Sequence, residues 1–369
     1  MPGFNIVVFA GDGVGPEITD EAVKVLKAIE KARPAVTFNF QPHLLGGASI
    51  DASGIPLTDE ALSAAAAADA VWLGAVGGPK WGTAAVRPEQ GILKLRKSLD
   101  TFANLRPAFF PTPALASLSP LKEDVVTGTD FVVVRELTGG IYFGKREEAK
   151  TEGTEEKAYD TEEYSRSEIE RVARLAGWLA RQRSGEEKRV TSLDKANVLA
   201  TSRMWRRVVT EVFEKEFPDV KVQHQLIDSA TMLVVKNPTS LNGVVLTNNI
   251  FGDIITDECA AIIGSLGLGP SASLASLPSP EKPTVKGIYE PIHGSAPDIA
   301  GQGVVNPVAS LLSVAMLLRY SLGMSKEADL VEKAIGTAIE GGARTKDIQG
   351  NCTTKEVGDR VVAELEKLL

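Results

Sequence analysis

The chain has 369 residues, of which 43% are hydrophobic and 24% are charged. This is the composition of an ordinary globular protein with about two domains. Its net charge of −8 is spread along the sequence, which argues against a nucleic-acid surface or a polybasic contact with a membrane. An anionic small-molecule ligand would therefore have to be held by a local cluster of Arg and Lys.

The cysteines and the N-terminus point to a reducing compartment. Cys259 and Cys352 are too few for a disulfide framework and lack the spacing of a metal site. The N-terminal residues run into a strand-like segment without a basic region or a signal-type apolar core. The longest apolar run, Val308 to Leu318, is far shorter than the roughly 20 residues that span a bilayer, and it predicts a buried helix. We expect a cytoplasmic protein with no membrane partner.

Short β-rich runs alternate with helical patterns along the chain, which predicts an α/β fold. The strand candidates are residues 5–10, 71–74, 131–134 and 244–247. The helix candidates are residues 18–31, 58–68, 167–183 and 195–217, with N-caps at Thr58, Ser167 and Asp194. The charged segment 147–166 predicts an excursion such as a β-arm. The segment 270–286 is rich in proline and serine, including Pro280, and predicts a surface loop.

The first candidate motif is the glycine-rich segment 10–17, directly after the first strand. Its third glycine comes one residue too early for a dinucleotide-binding fingerprint, Pro16 follows it, and no acidic residue lies about twenty residues further on. A Rossmann unit is therefore rejected. We predict that these glycines let the backbone approach a ligand and that Pro16 takes the first position of the next helix.

Three arginines form the second candidate. The planar guanidinium group matches a carboxylate through two hydrogen bonds, so several arginines that converge would clamp a di-acid. Taken singly, each is more often a surface ion-pair partner. Arg135 is the best candidate because it ends a buried-strand run, where ligands tend to lie. The other two are Arg96 and Arg106.

Two further segments have both a functional and an ordinary interpretation. Lys195 lies at a strand-to-helix junction, where a lysine near other cations or shielded from water can act as a base. By itself it is more often an ordinary first-turn lysine. The segment 290–301 combines His, Gly and Ser with a helix that starts at a proline, and its backbone N–H groups would suit a nucleotide. It could also be a simple turn.

An acidic pair is the most informative motif. Asp253 and Asp257 are four residues apart, so on a helix both carboxylates leave the same face one turn apart. Hard divalent cations prefer such oxygen ligands. The alternative is a solvated helix face that carries two unrelated acids.

Taken together and in this order, the motifs resemble the β-decarboxylating dehydrogenases of 2-hydroxy acids, the isocitrate/isopropylmalate dehydrogenase family. The resemblance runs from Gly11 to Pro307 and is most specific in the segments 249–258 and 290–301. It implies a two-domain α/β fold with a twisted mixed sheet and no Rossmann unit. It also implies a discontinuous cofactor-binding domain at residues 1–101 and 264–369. The second domain, at residues 102–263, would bind the substrate and form the dimer, with an arm at residues 140–166.

For the reaction, the resemblance implies a metal ion and two proton-transfer residues. Asp228, Asp253 and Asp257 would hold Mg²⁺ or Mn²⁺, which also contacts the substrate. Lys195 would take or relay the proton of the C2 hydroxyl, and Tyr142 would protonate the enol after CO₂ leaves. Lys195 and Asp228 would enter the site from the neighbouring subunit, so the active enzyme would be a homodimer.

For the substrate, the resemblance implies that the three arginines bind its two carboxylates and that Asp228 also lies against it. The segment 87–93 would face the 3-substituent. An acid at Glu89 would repel a third carboxylate, where isocitrate dehydrogenases typically place a serine nearby. Ile92, Leu93 and Val198 would pack an isopropyl group. Ile92 stands where the family usually has leucine, a swap of equal volume that should be tolerated.

For the cofactor, the resemblance implies NAD. Asp298 followed by Ile299 favours NAD over NADP, because a carboxylate accepts hydrogen bonds from the ribose 2′-hydroxyl and repels a 2′-phosphate. The implied cofactor-binding residues are Glu89, Glu290, His293, Gly294, Ser295, Ala296, Asp298, Ile299 and Asn306.

Two alternatives stay open at this point. The substrate could be homoisocitrate or tartrate, which undergo related chemistry. The chain could also be a non-catalytic regulatory subunit of an oligomeric dehydrogenase. Such subunits usually lose a metal aspartate, the lysine or the tyrosine, and the presence of all of them here favours a catalytic chain.

Overall fold

The computed structural model describes residues 3–82, 85–152, 154–183, 188–279 and 281–369. The chain forms two compact units. Unit 1 consists of Met1–Thr101, Phe109–Thr127 and Ala260–Leu369, and unit 2 of Phe102–Ala108 and Gly128–Cys259. The segment Phe109–Thr127 thus lies with unit 1, whereas the sequence places it in the second domain.

Helices and strands alternate along most of the chain. The strands are β1 Gly3–Gly11, β2 Thr37–His43, β3 Ala70–Ala75, β4 Ala103–Phe109, β5 Asp130–Glu136, β6 Arg146–Glu152, β7 Glu155–Asp160, β8 Arg189–Asp194, β9 Lys221–Leu226, β10 Gly243–Thr247, β11 Pro270–Leu274 and β12 Gly287–Pro291. The α-helices are α1 Gly15–Ala32, α2 Gly47–Ser53, α3 Asp59–Ala67, α4 Pro88–Ser98, α5 Glu123–Val126, α6 Arg166–Gln182, α7 Ala200–Glu216, α8 Ile227–Lys236, α9 Asn249–Ile262, α10 Val308–Tyr320, α11 Ser325–Glu340 and α12 Thr354–Leu368. The predicted α/β class is confirmed.

Unit 1 is built on strands in the order β2-β1-β3-β12-β11. The pairs β1–β2, β1–β3 and β3–β12 are parallel, and β11–β12 is antiparallel, so the sheet is mixed as predicted. The interior of this unit includes α10, whose residues Val308 to Leu318 are all buried, which confirms the predicted buried helix. No helix in the described ranges has both the length and the apolarity that a membrane crossing requires.

Unit 2 is built on strands in the order β4-β5-β10-β8-β9. The pairs β5–β10, β10–β8 and β8–β9 are parallel, so these four strands end at the same edge of the sheet. Strand β5 is buried from Phe131 to Glu136, as its run of apolar residues requires. Ligand sites in open α/β sheets lie beyond the carboxyl ends of the strands, and this edge is therefore where a site is expected.

A two-stranded antiparallel sheet, β6 with β7, lies within the segment that the sequence predicts to be an arm. The side chains of β7 are exposed throughout. Gly153, between β6 and β7 in the sequence, lies outside the described residues.

The prediction of a surface loop at 270–286 is wrong for its first part. Residues Pro270 to Leu274 form β11, whose five residues are all buried. Pro270 is accommodated because it takes the first position of a strand, where a ladder hydrogen bond is least missed. The segment 275–279 has no regular structure, and Pro280 lies outside the described residues.

Two of the three predicted helix caps are also wrong. Thr58 caps α3 as predicted, since its side chain accepts a hydrogen bond from the Ala61 N–H. Ser165 rather than Ser167 caps α6, in a reciprocal capping box with Glu168. Asp194 is the last residue of β8, and the helix predicted from residue 195 begins only at Ala200.

Candidate active site

Four parallel strands of unit 2 deliver most of the predicted catalytic residues to one sheet edge. Arg135 lies near the end of β5, and α9 follows the end of β10. Lys195 comes directly after β8, and Asp228 is the second residue of α8, directly after β9. Because these strands are parallel neighbours, residues far apart in sequence reach the same edge.

The helical placement of the acidic pair is confirmed. Asp253 and Asp257 both lie on α9, one turn apart. With Arg106, Arg135 and Tyr142 they form what we call the α9 cluster. Each of the three partners contacts Asp253, and Arg106 also contacts Asp257.

Arg135 is the most buried member of the α9 cluster, with an exposed fraction of 2%. Its Nη1 donates to the Asp253 Oδ1 at 2.7 Å. Gly252 allows this approach, because a Cβ at that position would lie 2.6 Å from the Arg135 Cγ. A glycine inside a helix costs stability relative to alanine, and here close packing against the arginine is the reason for it.

Arg106, on β4, contacts both carboxylates of the acidic pair. Its Nε donates to the Asn104 Oδ1 at 2.9 Å and its Nη1 to the Thr256 hydroxyl at 2.7 Å. The same Nη1 lies 3.9 Å from the Asp253 carboxylate and 3.6 Å from that of Asp257. Two arginines thus converge on the acidic pair. Burial raises the pKa of Asp257, and the positive charges of Arg106 and Arg135 offset part of that rise.

Tyr142 ends a 3₁₀ turn, Gly140–Tyr142, that follows β5. Its hydroxyl donates to the Asp253 Oδ2 at 2.7 Å, and the Arg135 guanidinium lies 5.8 Å from its ring centre. Burial and the hydrogen bond to the Asp253 carboxylate raise the pKa of Tyr142 to about 12. The phenol therefore holds its proton at neutral pH, as a proton donor must.

Lys195 and Asp228 form a pair of their own. The Lys195 Nζ lies 2.8 Å from the Asp228 Oδ1, and this hydrogen bond is the main reason why the pKa of Asp228 is lowered. The Lys195 side chain has an exposed fraction of 26%, and that of Asp228 has 64%. Within the described residues, no group of three His, Cys, Asp or Glu could hold a metal ion, so Asp228 is not brought to the pair on α9.

In unit 1, Arg96 and Glu290 pair with each other. The Arg96 Nη2 donates to the Glu290 Oε1 at 2.7 Å, and both side chains are largely buried. The Arg96 Nε is shielded from solvent and has no hydrogen-bond partner among the described residues. A shielded, charged donor of this kind is suited to bind a carboxylate. Its convergence with Arg106 and Arg135 on one ligand stays a prediction.

The glycine-rich segment of unit 1 packs against the 290–301 loop. Gly13 has φ 58°, and a Cβ there would lie 2.0 Å from the Ser295 carbonyl oxygen. The Val14 N–H donates to that oxygen at 2.9 Å. These glycines therefore let the backbone approach other backbone, whereas the sequence predicts approach to a ligand. Pro16 is the second residue of α1, one position later than predicted.

The 290–301 loop contains turns after β12, and the helix predicted to start at its proline is absent from this described segment. Ala296 has φ 37°, a left-handed conformation that costs energy for a residue with a Cβ. The His293 Nε2 is shielded from solvent and has no hydrogen-bond partner among the described residues. Burial lowers the pKa of His293, so the ring is neutral near pH 7. Strain and an unsatisfied polar atom together are typical of a ligand site.

The other predicted cofactor residues differ in how far the protein itself uses them. Gly294 and Asp298 are exposed, and Ile299 is half-buried beside Val14 and Ile18. Asn306 is buried, and its amide donates to Asp347 and accepts from the Val308 N–H.

The predicted substrate-facing residues also differ in exposure. Glu89 is exposed on α4. Ile92 is buried in a hydrophobic cluster of unit 1, and Leu93, the next residue, is half-buried. Val198 lies in the loop before α7 in unit 2 and has an exposed fraction of 62%. Leu93 and Val198 thus present more apolar surface than Ile92.

Several polar residues of the site were missed by the sequence reasoning. Asn104 and Thr256 orient Arg106, and Asn249 binds Arg135. Asn249 carried a signal, since it lies two residues after the strand that precedes the acidic pair. Asn104 and Thr256 carried none, because their role depends on contacts between distant parts of the chain.

Comparison with known proteins shows the family to which this chain belongs. Residues 5–361 match the isocitrate/isopropylmalate dehydrogenase family, so the chain belongs to this family of dehydrogenases. It is 63% identical to a 3-isopropylmalate dehydrogenase of Neurospora crassa and 62% identical to 3-isopropylmalate dehydrogenase A of Aspergillus niger, each over 100% of both chains. A crystal structure of isocitrate dehydrogenase from Methylococcus capsulatus matches with a TM-score of 0.84 and 30% identity, over 98% of this chain and 99% of that one.

Proposed function

We propose that this chain is an NAD-dependent 3-isopropylmalate dehydrogenase, which converts 3-isopropylmalate into 4-methyl-2-oxopentanoate and CO₂ in leucine biosynthesis. The full-length identity of about 60% to proteins of that name supports the substrate. The observation that carries the chemistry is the α9 cluster, which places a proton donor and two arginines around an acidic pair. We also propose that the enzyme works in the cytoplasm.

The residues of this chain fit the two groups that the reaction needs. Asp253 and Asp257 offer partly exposed carboxylate oxygens on one helix face, which suits Mg²⁺ or Mn²⁺. The exposed Asp298 carboxylate suits an unphosphorylated ribose, and the unsatisfied His293 nitrogen suits an adenine ring. When bound, NAD accepts the hydride from C2 and the divalent cation polarises the oxygen on that carbon.

The side chains supply binding and proton transfer. Arg96, Arg106 and Arg135 bind the two carboxylates of the substrate, which a chain of net charge −8 needs in order to hold a dianion. Lys195 takes or relays the proton of the C2 hydroxyl as a neutral amine, whose nitrogen Asp228 orients. After CO₂ leaves, Tyr142 gives its phenolic proton to the carbon atom from which CO₂ was lost. Its raised pKa keeps that proton in place until then.

The active form is a homodimer in which Lys195 and Asp228 serve the site of the partner copy. Two observations support this proposal. Asp228 pairs with Lys195 and does not lie beside Asp253 and Asp257. The three carboxylates proposed to bind the metal ion are therefore not brought together within the described part of one chain. Apolar side chains beside these residues are exposed, namely Met232 and Val235 on α8 and Ile254 on α9. Exposed apolar residues grouped on helices are typical of an interface between subunits.

The deciding experiment measures NADH formation by the purified protein with Mg²⁺ and one substrate at a time. The substrates are 3-isopropylmalate, isocitrate, homoisocitrate and tartrate, and the first should give by far the highest kcat/KM. NADP in place of NAD should give much slower turnover. Turnover of isocitrate alone would show that isocitrate is the substrate. Equal rates with NAD and NADP would show that Asp298 does not select the cofactor. No turnover with any of the four substrates would refute the proposed enzymatic function.

A matched variant sharpens the choice of substrate. Glu89 is exposed, so Glu89→Gln should leave the fold intact while it removes a negative charge. If Glu89 repels a third carboxylate, this variant should lower the preference for 3-isopropylmalate over isocitrate by about tenfold. An unchanged preference would mean that the alkyl group alone sets the specificity.

A further inference from the structure

Asn249 is placed to act on several parts of the proposed site at once. It is the first residue of α9 and has an exposed fraction of 1%. A buried amide must find its hydrogen-bond partners inside the protein, since burial without them costs about 1–3 kcal/mol in proteins. Where its partners lie therefore shows what this residue holds in place.

The acceptor side of Asn249 holds Arg135. Its Oδ1 accepts from the Arg135 Nη2 at 2.8 Å and from the Nε at 3.1 Å, and its backbone oxygen accepts from the same Nε at 2.9 Å. The remaining nitrogen, Nη1, donates to Asp253. These bonds fix the plane of the guanidinium group, so Arg135 meets the acidic pair in one orientation.

The donor side of Asn249 holds the turn that leads to Tyr142. Its Nδ2 donates to the Gly139 carbonyl at 2.9 Å and to the Leu137 carbonyl at 3.3 Å. Gly139 directly precedes the 3₁₀ turn that ends at Tyr142. An amide is required for both tasks, because a carboxylate has no donor for the carbonyls and an alkyl group has neither donor nor acceptor.

We infer that Asn249 is a positioning residue of the dehydrogenase, an inference that rests on the function proposed above. It couples the carboxylate-binding arginine to the proton-donating tyrosine through one side chain. Its acceptor side sets how well Arg135 binds the substrate, and its donor side sets where the Tyr142 hydroxyl lies during proton transfer. Because only 1% of Asn249 is exposed, we expect it to act through Arg135 and the turn and not by direct contact with the substrate.

The neighbouring Asn248 offers a matched control. It too is buried, with an exposed fraction of 5%, and it directly precedes the same helix. Its Oδ1 accepts from the Phe251 N–H at 2.9 Å and its Nδ2 donates to Glu162 at 2.9 Å. Asn248 thus stabilises the start of α9 with the same kind of side chain. If Asn249 only stabilises the helix, the two alanine variants should behave alike.

The test compares Asn249→Ala with Asn248→Ala in steady-state kinetics and in calorimetric titrations with 3-isopropylmalate. Asn249→Ala should raise the KM and the Kd for this substrate by about 10- to 100-fold, the effect of losing hydrogen bonds to a charged group. Its KM for NAD should stay within about twofold of the wild type, since the proposed NAD-binding residues belong to unit 1 and Asn249 belongs to unit 2. Asn248→Ala should lower thermal stability with little change in substrate KM. Equal kinetic changes in both variants would overturn the inference.

A second variant separates the two sides of the amide and serves if the alanine variant does not fold. Asn249→Asp keeps an acceptor for Arg135 and loses the donors to the turn. It should bind 3-isopropylmalate within about threefold of the wild type but lower kcat by about tenfold or more, because Tyr142 is misplaced. A variant with wild-type kcat would show that the donor side does not position Tyr142.

A double-mutant cycle tests whether Asn249 acts through Arg135. In an Arg135→Lys background the fork that Asn249 holds is absent, so adding Asn249→Ala should raise the substrate Kd by no more than about twofold. Additive losses would overturn this part of the inference. Wild-type protein that fails to turn over 3-isopropylmalate would refute the proposed function alone. Hydrogen exchange in residues 137–142 would then still test the positioning, because Asn249→Ala should accelerate it and unchanged exchange would count against it.

Discussion

The α9 cluster and the Lys195–Asp228 pair, both in unit 2, differ in how completely the chain itself satisfies them. In the α9 cluster, Asp253 accepts bonds from Arg135 and Tyr142, and Arg135 is almost fully buried. In the pair, Asp228 is largely exposed and Val198, close to Lys195 in sequence, is exposed as well. The cluster is therefore pre-organised within one chain, whereas the exposed carboxylate of the pair is consistent with the proposed contact to a second copy.

This difference predicts which mutations should affect only the site of their own chain and which should affect the partner's site or dimer formation. In the proposed homodimer, a substitution in the α9 cluster should disable the site of its own chain without affecting the association of the two copies. A substitution in or beside the pair should disable the site of the partner, or prevent the dimer from forming. The following predictions are ordered by the size of the expected effect.

Asp253→Asn should have the largest effect. The amide has the shape of the carboxylate but loses the negative charge that faces two arginines and the proposed cation. We expect kcat/KM to fall by at least about 10³-fold, since the charge supports both metal binding and substrate orientation. Circular dichroism and light scattering should show an intact fold and dimer. Activity within tenfold of the wild type would break the assignment of the α9 cluster as the catalytic centre.

The sequence predicted the acidic pair well and its surroundings poorly. A spacing of four residues determines that two side chains share a helix face, so Asp253 and Asp257 could be placed from local geometry alone. Their partners Arg106 and Tyr142 come from other elements, and the sequence linked them only through the family resemblance. Asn104 and Thr256 were missed, because their roles depend on the packing of β4 against α9.

The errors in the fold have similar physical causes. The segment 270–274 was expected to be a loop because proline and serine are common in turns, yet it is a buried strand that begins with its proline. The helix predicted from residue 195 starts at Ala200, because the Asp194 carboxylate accepts from the Ala196 N–H and forms a turn instead of a cap. Local composition could not show which of these alternatives tertiary packing would favour.

Met232→Glu should have the second largest effect. It tests whether the exposed surface of α8, which carries Asp228, is the proposed dimer interface. Met232 lies on α8, one turn after Asp228, and has an exposed fraction of 67%. If α8 packs against a second copy, a buried charge there should weaken the dimer by about 100-fold and reduce activity at dilute protein concentration. The matched control is Ile55→Glu, at an exposed apolar residue of unit 1. Light scattering that shows the same dimer for both variants would contradict the proposed interface.

Mixing two inactive variants tests directly whether the site is shared. Lys195→Ala and Asp253→Asn disable different parts of the site, and a heterodimer would combine the intact Asp253 of one chain with the intact Lys195 of the other. After dissociation and random reassembly, half of the dimers are mixed and each regains one site, so activity should recover to about a quarter of the wild type. Recovery should be absent when either variant is reassembled alone. No recovery from the mixture would place the complete site within one chain.

The smallest effect is expected at the buried support of the Lys195–Asp228 pair. Asp194, next to Lys195, accepts two hydrogen bonds from Arg206, at 2.8 and 2.9 Å. The His224 Nε2 bonds to the Thr210 hydroxyl at 2.9 Å, and its Nδ1 lies 3.9 Å from Asp194. Burial is the main reason why the pKa of His224 is lowered, and the Arg206 charge adds to it. The folded protein therefore favours the neutral ring.

Because the pKa of His224 is lower in the folded than in the unfolded state, the stability that this residue contributes is fully present above its ordinary pKa of about 6.5. It is lost as the pH falls through the folded pKa. His224→Gln keeps a partner for Thr210 and cannot titrate. Between pH 7.5 and pH 5.5, denaturant titrations should show a loss of unfolding free energy in the wild type that exceeds that of the variant by no more than about 1 kcal/mol. If His224→Gln lost more unfolding free energy than the wild type over this pH range, the interpretation of His224 as a neutral, buried histidine would be wrong. The kcat of His224→Gln should change far less than the kcat of variants at Lys195 or Asp228.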